Sequence, residues 1–165
     1  MLRRVLGVVG ALAAVVVLSG CGPEVLPLAA VAVDGDGTPR VLVRPCGDDT
    51  YEAPTVEGWA GSYKEKPGAD EADTTVWATT GAWSGDVEFP LFSPPAAWRA
   101  EARGEQRVLP GHTYEFAFFG HTDDYANGAV SFTAADLGRL ERGDVWADGR
   151  VMDAEEFEEL AEGAC

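Results

Sequence analysis

Basic residues are scarce: 12 Lys and Arg stand against 28 Asp and Glu in 165 residues, a net charge of −16. Such a field repels phosphate backbones and anionic headgroups, which excludes nucleic-acid binding and attachment through a basic face. Histidine is equally sparse, with only His112 and His121. The stretch between them reads as a strand, which holds them about 30 Å apart and keeps them from sharing a metal or a reaction centre. No serine lies in a Gly-x-Ser-x-Gly turn, and the three cysteines form no Cys-x-x-Cys or cysteine–histidine spacing. Serine-hydrolase, redox, haem and zinc chemistry therefore lose their usual residue sets. Carboxylates are so abundant that a pair at glycosidase separation arises by chance. A hydrolase with a dispersed carboxylate site stays only as an alternative.

Long apolar runs are also missing. The longest apolar run, Val5 to Leu18, has 14 residues, short of the roughly 20 that span a bilayer. It follows Arg3 and Arg4, and charges ahead of a short apolar run describe an export signal. The run ends in Leu18-Ser19-Gly20-Cys21. Two small residues let the backbone extend into a peptidase cleft, and the cysteine is a nucleophile able to take a thioether-linked lipid. This tetrapeptide resembles the lipobox of bacterial lipoproteins. The resemblance implies cleavage before Cys21 and acylation of its sulfur and amino group, palmitate-type chains then holding the protein on the extracytoplasmic face of the cell membrane. Each buried methylene contributes about 0.8 kcal/mol to that hold. The expected organisation is a signal peptide at 1–20, a lipidated tether at 21–26 and one ectodomain at 27–165. Removing residues 1–20 leaves 10 basic and 28 acidic residues, a net charge of −18.

With Cys21 assigned to lipid, Cys46 and Cys165 remain as an even pair in an oxidising compartment, and a disulfide between them is expected. Two independent buried thiols are the alternative. A bridge would close a loop for which chain-entropy arguments give about 4.7 kcal/mol.

Short apolar runs punctuated by Gly, Pro and Asp describe a mainly β ectodomain. Runs at 27–33 and 40–45 flank Asp34-Gly35-Asp36-Gly37, whose Asp-Gly steps suit a hairpin turn. That segment opens like a calcium-binding loop but lacks its later acidic positions. Further strands are expected near 55–63, 74–80, 86–92, 113–120 and 129–132. In Thr113 to Phe118, strict alternation puts Tyr114, Phe116 and Phe118 on one core face. The preceding Val108-Leu109-Pro110-Gly111-His112-Thr113-Tyr114 resembles the tyrosine corner of immunoglobulin-like and fibronectin type III sandwiches. The resemblance implies a β-sandwich in which the Tyr114 hydroxyl bonds to upstream backbone and Trp77 is a core aromatic.

Pro95 to Arg103 fits either a helix or a strand and is read as a strand. Thr133 with Asp136, and Asp153 with Glu156, are helix-start signatures. The second precedes an apolar stripe of Phe157, Leu160, Ala161 and Ala164, predicting a C-terminal helix that delivers Cys165.

Two binding constellations are expected to be worth testing. In the sandwich reading, loops 64–73 and 121–128 meet at one end, where Asp70, Glu71, Asp73, Asp123, Asp124 and Asn127 offer hard oxygen donors to Ca2+ or a cationic partner. Five tryptophans raise carbohydrate stacking, with Trp83 the one expected to be exposed on a turn and the other four open or assigned to the core. The chain as a whole is similar to small lipoproteins of GC-rich actinobacteria, a resemblance that implies no activity. The expectation is a lipid-anchored, non-enzymatic surface or binding domain, its partner a cell-envelope glycan or protein.

Overall fold

A computed structural model describes residues 25–48, 50–68, 70–120 and 127–165. In chain order the strands are β1 (Val25–Leu26), β2 (Ala29–Val33), β3 (Pro39–Val43), β4 (Thr50–Ala60), β5 (Thr75–Ala78), β6 (Ala82–Ser84), β7 (Val87–Pro90), β8 (Glu101–Ala102), β9 (His112–Gly120), β10 (Asn127–Thr133), β11 (Asp144–Ala147) and β12 (Arg150–Asp153). Two helices, α1 (Ala134–Leu137) and α2 (Ala154–Ala164), follow β10 and β12. One sheet has the order β1-β10-β9-β4-β5-β8, with β6 also on β4. The other has the order β12-β11-β2-β3-β7.

The sheets pack face to face because each strand alternates. Tyr114, Phe116 and Phe118 of β9 are buried, as are Val56 of β4 and Trp77 of β5. They meet Val31, Val41, Val43 and Phe89 of the second sheet in one apolar cluster. Phe89 lies 6.2 Å from Trp77 and 5.9 Å from Phe116, ring to ring across the interface. Trp146 crosses in the same way, its indole N–H donating to the Ser131 carbonyl of β10 at 2.8 Å.

The hairpin expected at Asp34–Gly37 is present: the Asp34 N–H donates to Thr38 O and the Gly37 N–H to Asp34 O, both at 2.9 Å. Both helix starts are also as expected. Thr133 and Asp136 exchange side-chain to backbone bonds around the first turn of α1, and Asp153 accepts from the Glu156 N–H at 2.8 Å. Phe157 and Ala161 of α2 are buried against β11 and β12.

Tyr114 makes the upstream bonds expected of it. Its hydroxyl accepts from the Leu109 N–H at 2.9 Å and donates to the Arg107 carbonyl at 3.1 Å. Burial pushes this hydroxyl above the ordinary tyrosine pKa, against the lowering effect of the Leu109 N–H. Tyr114→Phe leaves two backbone groups without their partner and is expected to cost about 1–3 kcal/mol. Urea denaturation reads this as a lower midpoint, and an unchanged midpoint would show that the corner carries no stability.

Three expectations are corrected. Pro95 to Arg103 is not a strand: Ala96–Trp98 is a 3-10 turn, Arg99 is left-handed at φ 52°, and only Glu101–Ala102 pair with β5. Pro94 and Pro95 offer no N–H to a ladder, and burying Trp98 requires the chain to turn inward. The strand expected at 55–63 instead runs from Thr50 to Ala60, kinked where the register shifts between Glu52 and Thr55 and Ala53 sits at φ 52°. Below the kink β4 pairs with β6, and above it with β5. Finally, β11 and β12 form a hairpin that was not expected, closed by Asp148 and Gly149 at φ 48° and 70°.

Strand direction gives the domain two ends. At one, β1 enters beside Asn127, near Gly120 and Tyr51. Cys46 is tied to this end, its N–H donating to the Tyr51 hydroxyl at 2.9 Å. The other end carries His112, Ala60, α1 and the Asp34–Gly37 turn.

Candidate functional site

At the end opposite Val25, an open cleft of about 690 Å³ lies between the Asp34–Gly37 turn, the chain after β7, the segment before β9, and α1. Its walls are mostly apolar: Val33, Pro39, Pro90, Phe92, Val108 and Leu137. Each is held by local structure. Asp36 accepts from the Thr38 N–H at 2.9 Å, and that bond holds its exposed carboxyl below the usual range. Phe92 stands edge-on to the Tyr114 ring at 6.3 Å, so the tyrosine that ties the loop before β9 also seats a cleft wall. Gln106 donates to the Val76 carbonyl at 2.8 Å. The lining contains neither histidine nor cysteine, and Asp36, beside Thr38, is its one carboxylate. An apolar cleft with fixed walls suits binding, by apolar contact with a few polar groups for orientation.

Charged groups elsewhere act as ties. Arg44 joins Glu88 at 2.5 Å and Glu158 at 2.7 Å, linking β7, β3 and α2. Burial draws the Arg44 pKa down, but Glu88 and Glu158 outweigh it and hold it above the ordinary arginine value. On the outer face of the first sheet, Lys66 pairs with Glu57 and Glu115 and lies 5.2 Å from the centre of the Trp59 ring. Burial lowers the Lys66 pKa, and the two carboxylates more than offset it.

Cys46 and Cys165 are brought together at disulfide distance, Sγ to Sγ 2.14 Å and Cα to Cα 5.3 Å. Cys21 lies outside the described residues. The cation constellation is placed only in part, since Asp123 and Asp124 lie outside the described residues. β4 and β9 are antiparallel, with Ala60 opposite His112 and Tyr51 opposite Gly120. The loop holding Asp70, Glu71 and Asp73 therefore leaves the sheet at the His112 end, while Asn127 pairs with β1 at the other end. Those ends are about 26 Å apart along β9. The described members have local tasks: Glu71 accepts from the Gly68 N–H, Asp73 from the Thr75 N–H and Asn127 from the Gly120 N–H. Among the described residues no group of three His, Cys, Asp or Glu is placed to hold a metal ion.

Trp83 is corrected too. It is partly buried, not exposed on its turn, with its ring 4.9 Å from Trp98, 5.3 Å from Phe118 and 5.8 Å from Tyr51. The ring belongs to an aromatic cluster at the edge of the core and does not stand free on the turn. The other four tryptophans are also buried. His112 belongs to the corner, its Nδ1 3.2 Å from the Pro110 carbonyl, and His121 lies outside the described residues.

The cleft itself was not foreseen from sequence. Its walls come from four separate segments, and the motifs read in three of them describe a turn, a corner and a helix start, not a cleft; the local signal in the fourth is the cluster of prolines at 90, 94 and 95 beside Phe92. No known family, curated protein or solved structure matches the chain.

Proposed function

We propose that this chain is a lipid-anchored, non-enzymatic binding domain on the extracytoplasmic face of a cell membrane, built as a fibronectin type III-like sandwich. The strand orders β2-β3-β7 and β5-β4-β9-β10 support the sandwich reading, as do the Tyr114 bonds at the corner. The observation that carries the functional reading is the opposition of the two ends. Three residues separate Cys21 from Val25, which enters the sheet beside Asn127, and the cleft opens at the far end. A domain tethered so closely at one end offers the other to partners in the envelope. Apolar walls favour an apolar segment of such a partner over a cation or an open sugar face.

Intact mass of the full chain, expressed in a host that processes lipoproteins and extracted in detergent, tests the anchor. The expected species begins at Cys21 and carries a diacylglycerol thioether, and Cys21→Ser leaves the membrane fraction. An unlipidated mature chain beginning elsewhere would overturn the reading.

A further inference from the structure

Three large apolar side chains are prominently exposed among the described residues: Val25 at 61%, Tyr63 at 60% and Phe119 at 49%. Two of them share a place. Val25 is opposite Asn127 on β10, and one step along the same strand Gly128 is opposite Phe118 on β9, which sets Phe119 in the row of Asn127 and Val25. A Cβ on Gly128 would meet the Phe118 ring at 2.1 Å, so Gly128 and Phe118 face the core. By strand alternation Phe119, Asn127 and Val25 face outward. Leu26, the next residue along β1, packs on the core as that alternation requires.

The next outward row holds Thr55, Ala117 and Ala129, paired directly across the strands. Glu52 lies opposite Phe119 in the first of these rows, and the row beyond Thr55 is charged, with Glu57, Glu115 and their shared Lys66. Over the half of this face nearest Val25, Glu52 is the one charged residue on the paired positions of β4, β9, β10 and β1. An outward face that is apolar at one end and charged at the other is ordered along the direction in which the chain enters.

From the lengths of chain involved we infer that this apolar half rests on the bilayer, with Phe119 and Val25 entering the headgroup layer of zwitterionic lipid. The inference rests on the lipid anchor proposed above: four residue steps from Cys21 to Val25 reach at most about 14 Å, so an acylated Cys21 holds Val25 close to the headgroups. A net charge of −18 on the mature chain opposes contact with anionic lipid, and a contact made by aromatic and aliphatic side chains does not need it. Tyr63, beyond Ala60 at the His112 end, stands away from the surface in this arrangement.

The test uses the full chain, processed and lipidated in its host, reconstituted in phosphatidylcholine vesicles with and without bromine on the acyl chains. Phe119→Trp and Tyr63→Trp each add one indole at a position already exposed, and the signal of the unsubstituted protein is subtracted. The indole at 119 is expected to lose about half its emission in brominated vesicles, and the one at 63 to be unchanged. Equal quenching at both positions, or none at 119, overturns the inference. Intact mass separates this from failure of the anchor. Where it shows no lipid on Cys21, the anchoring proposal fails by itself. Coupling the Cys21 thiol to a maleimide lipid in the same vesicles then restores the tether, and the same comparison still decides which face meets lipid.

Discussion

Replacing Cys46 and Cys165 together by serine is expected to lower the free energy of unfolding by about 2–5 kcal/mol. The bridge spans 119 positions and so constrains most of the unfolded chain, where loops of this order give the upper end of that range. It joins Cys165, the residue that follows α2, to the segment between β3 and β4, beside the bond from the Cys46 N–H to the buried Tyr51 hydroxyl. The folded state keeps other ties there. Phe157 and Ala161 remain buried, and Arg44 still joins Glu158 to Glu88. The double variant is therefore expected to fold to the same sheets and to unfold at lower urea. It should also have a steeper denaturant dependence, because its unfolded state exposes more surface. An unchanged midpoint would show that the helix is held by packing and the Arg44 pairs alone.

How much of this was legible in the sequence depends on how local each cause is. The Asp34–Gly37 turn, the starts of α1 and α2 and the core face of β9 are set by neighbours within a few residues, so spacing alone exposes them. The Tyr114 bonds close within seven residues of chain, and they too could be read. The β11–β12 hairpin had an equally local signal in Asp148-Gly149, but four-residue strands with Asp144, Arg150 and Asp153 at their ends offered too little alternation to stand out. Trp83 was misplaced for a different reason. It sits in a segment that reads as a turn, and only the meeting of β6, the 3-10 turn and Phe118 in space packs its ring. The distance between the loop after β4 and Asn127 has the same kind of cause. It follows from antiparallel pairing of β4 with β9, which neither segment encodes. The cleft is the extreme case, since four distant segments wall it.

Trp77→Ala is expected to cost about 3–5 kcal/mol, the range for removing a large aromatic from a core that relaxes only in part. Trp77 is 1% exposed and touches both sheets, with Phe116 and Phe89 each 6.2 Å away. Its indole N–H also donates to the Leu91 carbonyl at 2.7 Å, so volume and hydrogen bond must be separated. Trp77→Phe retains a ring and removes the donor, leaving the carbonyl of the fully buried Leu91 without it, for about 1–3 kcal/mol. Urea midpoints measure both, and equal losses would mean that the hydrogen bond dominates. The consequence reaches the cleft. Leu91 precedes Phe92, and its own N–H is bonded to the Pro39 carbonyl at 2.8 Å, so Trp77 and Pro39 hold this segment from opposite sides. Releasing one side should loosen Phe92 against Tyr114, and near-ultraviolet dichroism of Trp77→Phe, compared with a Trp59→Phe control at the outer face, is the measurement that detects it. A cleft wall set from within the core in this way keeps its shape while the rest of its rim exchanges with solvent.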